Sequence, residues 1–128
     1  MNINKAFIDG FLFPIAGGAD IDEEIEKYGD IDNNNEIEVK EIIAEKIKPN
    51  FENWSLNKQE RARLALSYYL TTNKLDFRRK FDSYIPAFEL PDNPHDFFKW
   101  IWEVIFPGEN YEMSNWREYA EISDMDEV

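Results

Sequence analysis

Oxygen-bearing side chains recur at short intervals in one segment of the sequence, residues 30–41. Carboxylates and amides stand at alternate positions in its first half, and further carboxylates follow. A hard cation such as calcium takes about six to eight oxygen ligands, and this spacing could place them around a single ion. The candidate metal ligands are Asp30, Asp32, Asn34, Glu36, Glu38 and Glu41.

This segment resembles a single EF-hand calcium loop. In that resemblance Glu36 would bind through its backbone carbonyl, and Glu41 would bind through both carboxylate oxygens. The sequence departs from the family at Asn35, where a glycine is usual, and no second loop is visible. The alternative is a polar turn followed by the acidic first turn of a helix, which needs no ion. Calcium is thus an alternative cofactor, and the main expectation is that there is none.

No motif for nucleophilic or acid–base catalysis stands out, because the carboxylates are many but none can be paired across an active site from the sequence. The single histidine, His95, stands beside Asp96 in the first turn of a predicted helix, without a partnered nucleophile motif. The chain has no cysteine, which excludes disulfides, thiolate metal sites and cysteine nucleophiles. Gly17–Gly18 does not match a phosphate-binding glycine-rich loop. We therefore expect no catalytic residues and no enzymatic activity.

The last third of the chain combines carboxylates with large aromatic side chains. Aromatic anchors inside a charged rim are typical of protein–protein interfaces. The alternative is that the tryptophans fill the core, because a small domain with four of them must bury most. The predicted partner-binding residues are Trp102, Glu103, Glu109, Tyr111, Glu112, Trp116 and Glu118.

The charge of the chain is strongly negative and unevenly distributed. The net charge is −13, with −7 in residues 1–50, +2 in residues 51–90 and −8 in residues 91–128. Such a field repels nucleic acid and anionic lipid and attracts basic partners. The basic run Arg78–Lys80 could contact phosphates, but solvated helix faces and internal ion pairs are the favoured interpretation.

Helical periodicity and capping residues predict the elements that must position these groups. Ser55 is a good N-cap for the most regular helix, and Asn93 followed by Pro94 opens the most apolar one. Pro49 is expected to end the helix before it. The segment 3–15 could be a short helix or a buried strand. The predicted helices span residues 20–28, 36–48, 56–72, 75–85, 94–106 and 115–122.

These elements predict an all-α fold, a single compact bundle of about five or six short helices with minor strand content near the N-terminus. Residues 1–128 are expected to form one domain, with an acidic tail at 123–128 that frays. No segment reaches the ~20 apolar residues that a membrane span needs, and Met1–Ala19 is a poor signal peptide. We therefore expect a cytoplasmic protein with no membrane partner.

In size, acidity, aromatic content and lack of cysteine the whole chain resembles bacterial toxin-immunity proteins of the contact-dependent inhibition and colicin type. The resemblance is one of overall character and carries over no individual residue. It implies an inhibitor that covers the active site or substrate path of a basic, nuclease-type toxin and does not itself bind nucleic acid. A related alternative is a DNA mimic whose carboxylates stand in for phosphates and inhibit a nucleic-acid enzyme.

Overall fold

A computed structural model of the protein describes residues 2–16, 23, 26, 27, 31–84, 86 and 88–122. These residues form a mainly helical fold with one short parallel sheet, which confirms the predicted fold class. Most buried apolar side chains belong to one continuous core cluster. The elements are β1 (Asn2–Asn4), α1 (Ala6–Leu12), α2 (Glu36–Ile42), α3 (Lys48–Glu52), α4 (Leu56–Thr72), α5 (Phe77–Asp82), α6 (Pro94–Ile105) and β2 (Ala120–Ile122).

The longest described helix, α4, is central to the packing and contacts α1, α6 and β1. Its predicted start is confirmed, because the Ser55 hydroxyl accepts a hydrogen bond from the Lys58 amide at 3.2 Å. It ends at Asn73, which adopts the left-handed conformation with φ 55°. Four apolar side chains at helical spacing along it are buried in the core, namely Ala62, Ala65, Leu66 and Tyr69.

Helix α6 contributes several large apolar side chains to the core. The Asn93 side chain accepts a hydrogen bond from the His95 amide at 3.2 Å, and Pro94 occupies the first turn, as predicted. Five side chains on this helix are buried, including both of its tryptophans, Trp100 and Trp102. This burial explains why so apolar a helix is tolerated in a strongly acidic protein.

A two-stranded parallel sheet brings together two distant parts of the chain. Strand β1 pairs with β2, and Ile3 lies opposite Glu121 in the register. The predicted last helix is therefore wrong: Trp116–Glu118 form a 3-10 turn and the following residues form β2. Pairing with β1 satisfies the backbone hydrogen-bonding groups of β2. Because β1 is distant along the chain, the local sequence around β2 could not predict this strand. Beneath the sheet, burial raises the pKa of Tyr69, and the Glu121 carboxylate raises it further.

Pro49 does not end its helix, contrary to the prediction. Helices α2 and α3 are joined by a π-helical turn at Ile43–Ile47, so the helical path continues to Glu52. Within it the Lys48 amide donates to the Ile43 carbonyl, five residues earlier. This wider turn shifts the hydrogen-bonding register, so that Pro49 falls in the first turn of α3, where its missing N–H is not needed.

One further predicted helix is shorter in the structure, and another lies mostly outside the described residues. Helix α5 is shorter than the predicted 75–85, because Asp76 caps it by accepting from the Arg79 amide at 3.1 Å. The prediction for residues 20–28 lies mostly outside the described residues, of which 23, 26 and 27 are helical. The tail at 123–128 lies outside them entirely. No helix in the described ranges is both long and apolar enough to cross a bilayer.

Asn73 should be sensitive to the choice of replacement because of its left-handed backbone. We expect Asn73→Ala to lower the free energy of unfolding by about 1 kcal/mol, since alanine strains this conformation and glycine does not. Asn73→Gly should leave stability within about 0.5 kcal/mol of the parent protein. Urea denaturation of both variants checks this expectation, and equal stability of the two would contradict it.

Candidate partner-binding groove

The C-terminal loop, residues 107–115, lies across helices α4 and α6 and is held there by side chains of both. The Trp102 indole N–H donates to the Glu109 carbonyl at 2.8 Å. The Ser67 hydroxyl donates to the Tyr111 carbonyl at 2.5 Å. The loop therefore has a fixed position although it belongs to no helix or strand.

Thr71, one turn along α4, adds a second attachment point. Its hydroxyl oxygen accepts from the Met113 amide at 2.9 Å and also lies 3.4 Å from the Tyr111 carbonyl. The Met113 side chain is buried, so the loop is fastened by both a polar and an apolar contact. Within the loop, the Glu112 amide donates to the Asn110 side chain at 3.0 Å.

A groove of about 760 Å³ opens between this loop, the end of α4 and the start of α6. Three of the residues predicted to contact a partner line it, namely Tyr111, Glu112 and Trp116. Apart from Leu70 and Met113, its remaining lining is polar and rich in amide side chains, which can donate and accept hydrogen bonds. Those amides were not predicted as site residues, because capping and turn roles account for asparagines equally well; they are Asn73, Asn93 and Asn110.

Trp116 is half-buried at one end of the groove and lies between two cations. The Lys74 ammonium lies 5.2 Å from its ring centroid, and the Arg117 guanidinium carbon lies 4.6 Å from it. Both distances fall within the usual range for cation–π attraction, which helps to hold the indole in place. An aromatic side chain that is already ordered loses less entropy when a partner covers it.

One exposed carboxylate lines the groove, and two more lie close in sequence to residues that line it. Glu109, Glu112 and Glu118 are all exposed, as predicted for the rim of an interface. The Glu109 carboxylate lies 3.7 Å from the Arg63 guanidinium, and Glu118 accepts from the Asn115 amide at 3.2 Å. Glu112 lies on the groove itself. The rim thus offers negative charge beside two aromatic rings.

Two predicted contact residues lie elsewhere. Trp102 is only 1% exposed, so its indole fills the core and anchors the loop from below; its assignment as a contact residue is corrected. Glu103 is partly buried where α6 meets α2, 2.6 Å from the Lys40 ammonium and 3.9 Å from Lys99. Burial lowers the pKa of Lys40, but the hydrogen bonds from Lys40 to Glu103 and Glu36 outweigh that effect and the pKa is raised.

His95 forms part of the groove wall. Its Nε2 lies 2.9 Å from the Leu70 carbonyl oxygen, and because a carbonyl only accepts, that nitrogen carries the proton. The ring packs edge-on against Phe77 on one side and Tyr111 on the other, with centroids 5.6 and 5.9 Å apart. His95 therefore links α4, α5 and the loop.

The candidate calcium segment forms a helix cap in its described part. Asn35 accepts hydrogen bonds from the amides of Ile37 and Glu38, and Glu38 reaches back to the Asp32 amide at 3.2 Å. This arrangement resembles a capping box, in which both side chains satisfy backbone donors. Glu36 is already the first residue of α2, so its carbonyl belongs to the helix and does not face a loop centre.

The remaining ligands of this segment are dispersed. Asp32 accepts from the Asn34 amide at 3.0 Å, and Asn34 accepts from the Asp92 amide at 2.8 Å. Glu41 is exposed on α2, and Asp30 lies outside the described residues. Among the described residues no group of three or more histidine, aspartate or glutamate side chains is arranged to hold a metal ion.

Comparisons with known proteins give no family for this chain. No protein-family model matches it, and neither the curated proteins nor the solved structures contain a significant match. The groove, its fixed loop and the nearby charges are therefore the features that bear on the function of the protein.

Replacing Thr71 with valine should loosen the C-terminal loop. The change removes the acceptor of the Met113 amide, so we expect faster hydrogen exchange at Met113 and a loss of about 1–2 kcal/mol of stability. Thr72→Val is the matched control, because the Thr72 hydroxyl donates to Tyr68 in its own helix. Equal exchange at Met113 in both variants would show that the Thr71 contact does not hold the loop.

Calcium should have no effect on the stability of this protein, because the side-chain oxygens of Asp32, Asn34 and Glu38 accept hydrogen bonds from separate backbone amides and are not gathered around one point. Titration with calcium chloride at low ionic strength is expected to give no binding heat and no rise in melting temperature. Stoichiometric heat that disappears in a Glu41→Gln variant would restore the calcium-loop interpretation.

Proposed function

We propose that this protein is a non-catalytic, acidic inhibitor that binds a basic protein partner through the groove. One observation carries the proposal: residues predicted as contacts from the sequence, Tyr111, Glu112 and Trp116, line one groove beside a loop fixed by α4. Aromatic anchors with a carboxylate rim are the chemistry that recognises arginine- and lysine-rich surfaces.

The charge of the chain supports a basic partner. With a net charge of −13, the protein attracts a cationic surface over a distance of roughly a Debye length, ~8 Å at physiological salt. Complementary charge accelerates the encounter and disfavours acidic partners. The fixed position of the loop also favours binding, because the loop loses little conformational entropy when the two surfaces meet.

The partner class that best fits is a nuclease-type toxin domain. Such domains carry basic surfaces to bind phosphate, and an acidic protein that covers this surface competes with nucleic acid. In this proposal the protein acts as an immunity protein in the cytoplasm of the cell that makes it. It protects that cell by blocking the active site or substrate path of the toxin.

The direct test uses the domain encoded by the open reading frame immediately upstream of this gene. That domain should be basic, toxic when expressed alone and harmless when expressed together with this protein. The purified pair should bind one to one, and the affinity should weaken steeply as salt is raised. An upstream product that is not toxic, or toxicity that this protein does not relieve, would overturn the proposal.

Charge reversal at the groove should slow association with that domain. We expect Glu112→Lys combined with Glu118→Lys to lower the association rate about tenfold at low salt, because Glu112 lines the groove and Glu118 is exposed two residues after Trp116, which also lines it. Glu41→Lys with Glu52→Lys is the matched control, since it changes the net charge equally at exposed sites on α2 and α3.

Stopped-flow association kinetics measure both double variants, and circular dichroism melting confirms that each is folded. The control should change the association rate less than about threefold. Equal slowing in both would mean that bulk charge acts without the groove, and the groove would be rejected as the contact surface.

A further inference from the structure

A second cavity, of about 440 Å³, lies between the end of β1, the end of α4 and helix α5. It differs from the rest of this acidic protein because cations dominate its lining. Lys5 follows β1, Lys74 follows α4, and Arg79 and Lys80 come from α5. Three separate elements therefore bring positive charge to one concave site.

The cations in this cavity are only partly neutralised. The Lys80 ammonium lies 3.0 Å from the Asp9 carboxylate, which also accepts from the Tyr84 hydroxyl at 2.6 Å. Asp76 also lines the cavity, where its carboxylate caps α5. Four cations and two carboxylates leave two positive charges without a counter-charge.

Lys5 and Arg79 are lining cations that are accessible to a ligand. Both side chains are exposed, and neither forms an ion pair with another residue in the described part of the chain. Lys74 contacts only neutral groups there: its ammonium donates to the Tyr68 hydroxyl at 3.2 Å and lies over the rings of Tyr68 and Trp116. A dianion would neutralise the site.

We propose that this cavity binds the phosphate group of a phosphorylated small molecule or inorganic phosphate. A phosphate monoester carries close to two negative charges at neutral pH, which matches the two uncompensated cations. Its oxygens accept hydrogen bonds from several donors at once, and lysine and arginine are the usual donors to it. The cavity volume lies within the ~300–1,000 Å³ range of small-molecule sites.

The net negative charge of the protein does not prevent this binding. Distant carboxylates act through water and are screened over ~8 Å at physiological salt, whereas the lining cations contact the ligand directly. The site is also separate from the groove, so its test does not depend on the proposed toxin partner. Lys74 lies near both, since it lines this cavity and its ammonium lies over Trp116.

The test is a titration of the ¹⁵N-labelled protein with sodium phosphate at constant ionic strength, followed by NMR. We expect saturable shifts of the Lys5, Lys74, Arg79 and Ser83 amides with a dissociation constant below about 10 mM. Arg79→Ala and Lys5→Ala should each weaken binding about tenfold, because each removes a charged donor. No saturable shift below about 10 mM would overturn the proposal.

Arg78→Ala is the matched control for Arg79→Ala. Arg78 is its exposed neighbour on α5 and does not line the cavity, so its removal changes the net charge equally. It should weaken phosphate binding less than about twofold. Equal weakening by the two alanine variants would show a diffuse charge effect and would overturn the assignment of the site.

Adenosine monophosphate in a parallel titration distinguishes the two sources of the phosphate. Tighter binding than inorganic phosphate, weakened by Arg79→Ala, would identify a phosphorylated organic ligand. Equal affinity for the two would identify the phosphate group alone as the ligand. Nucleotide shifts that Arg79→Ala does not alter would contradict the proposal.

Discussion

Two hydroxyl groups on α4 determine where the C-terminal part of the protein lies. Ser67 and Thr71 form hydrogen bonds with the Tyr111 carbonyl and the Met113 amide, which have no partner in a helix or a sheet. Without these contacts the loop would have to satisfy its polar backbone in water and would move away from the core. Together with the Trp102 indole below the loop, this attachment positions one side of the groove, and the chain continues from there to Trp116 and β2.

Local sequence signals predicted the helices that carry their own start and stop information. Ser55, Asn93 and Pro94 act within one turn of the backbone they cap, so α4 and α6 could be located from the sequence. The same reasoning could not find β2, whose partner strand is distant along the chain. It also placed the end of a helix at Pro49, because the π-helical turn that accommodates proline has no signature of its own.

The candidate groove was predicted only in part, for a similar reason. Residue type identified Tyr111, Glu112 and Trp116 as good contacts, and these three do line one groove. Residue type could not separate a tryptophan on the surface from one in the core, and Trp102 belongs to the core. The basic cavity had no sequence signature, because Lys5 and Lys74 are brought together with α5 only by the fold.

The pairing of Asn2 with Ala120 also bears on how this protein folds during synthesis. Contacts between residues so far apart in sequence carry a large loop-closure cost and raise the contact order, which slows folding. During synthesis β1 leaves the ribosome before β2, and it stays without its partner strand until the residues between the two strands have been made. Its exposed backbone edge is a site for unwanted strand pairing in that interval.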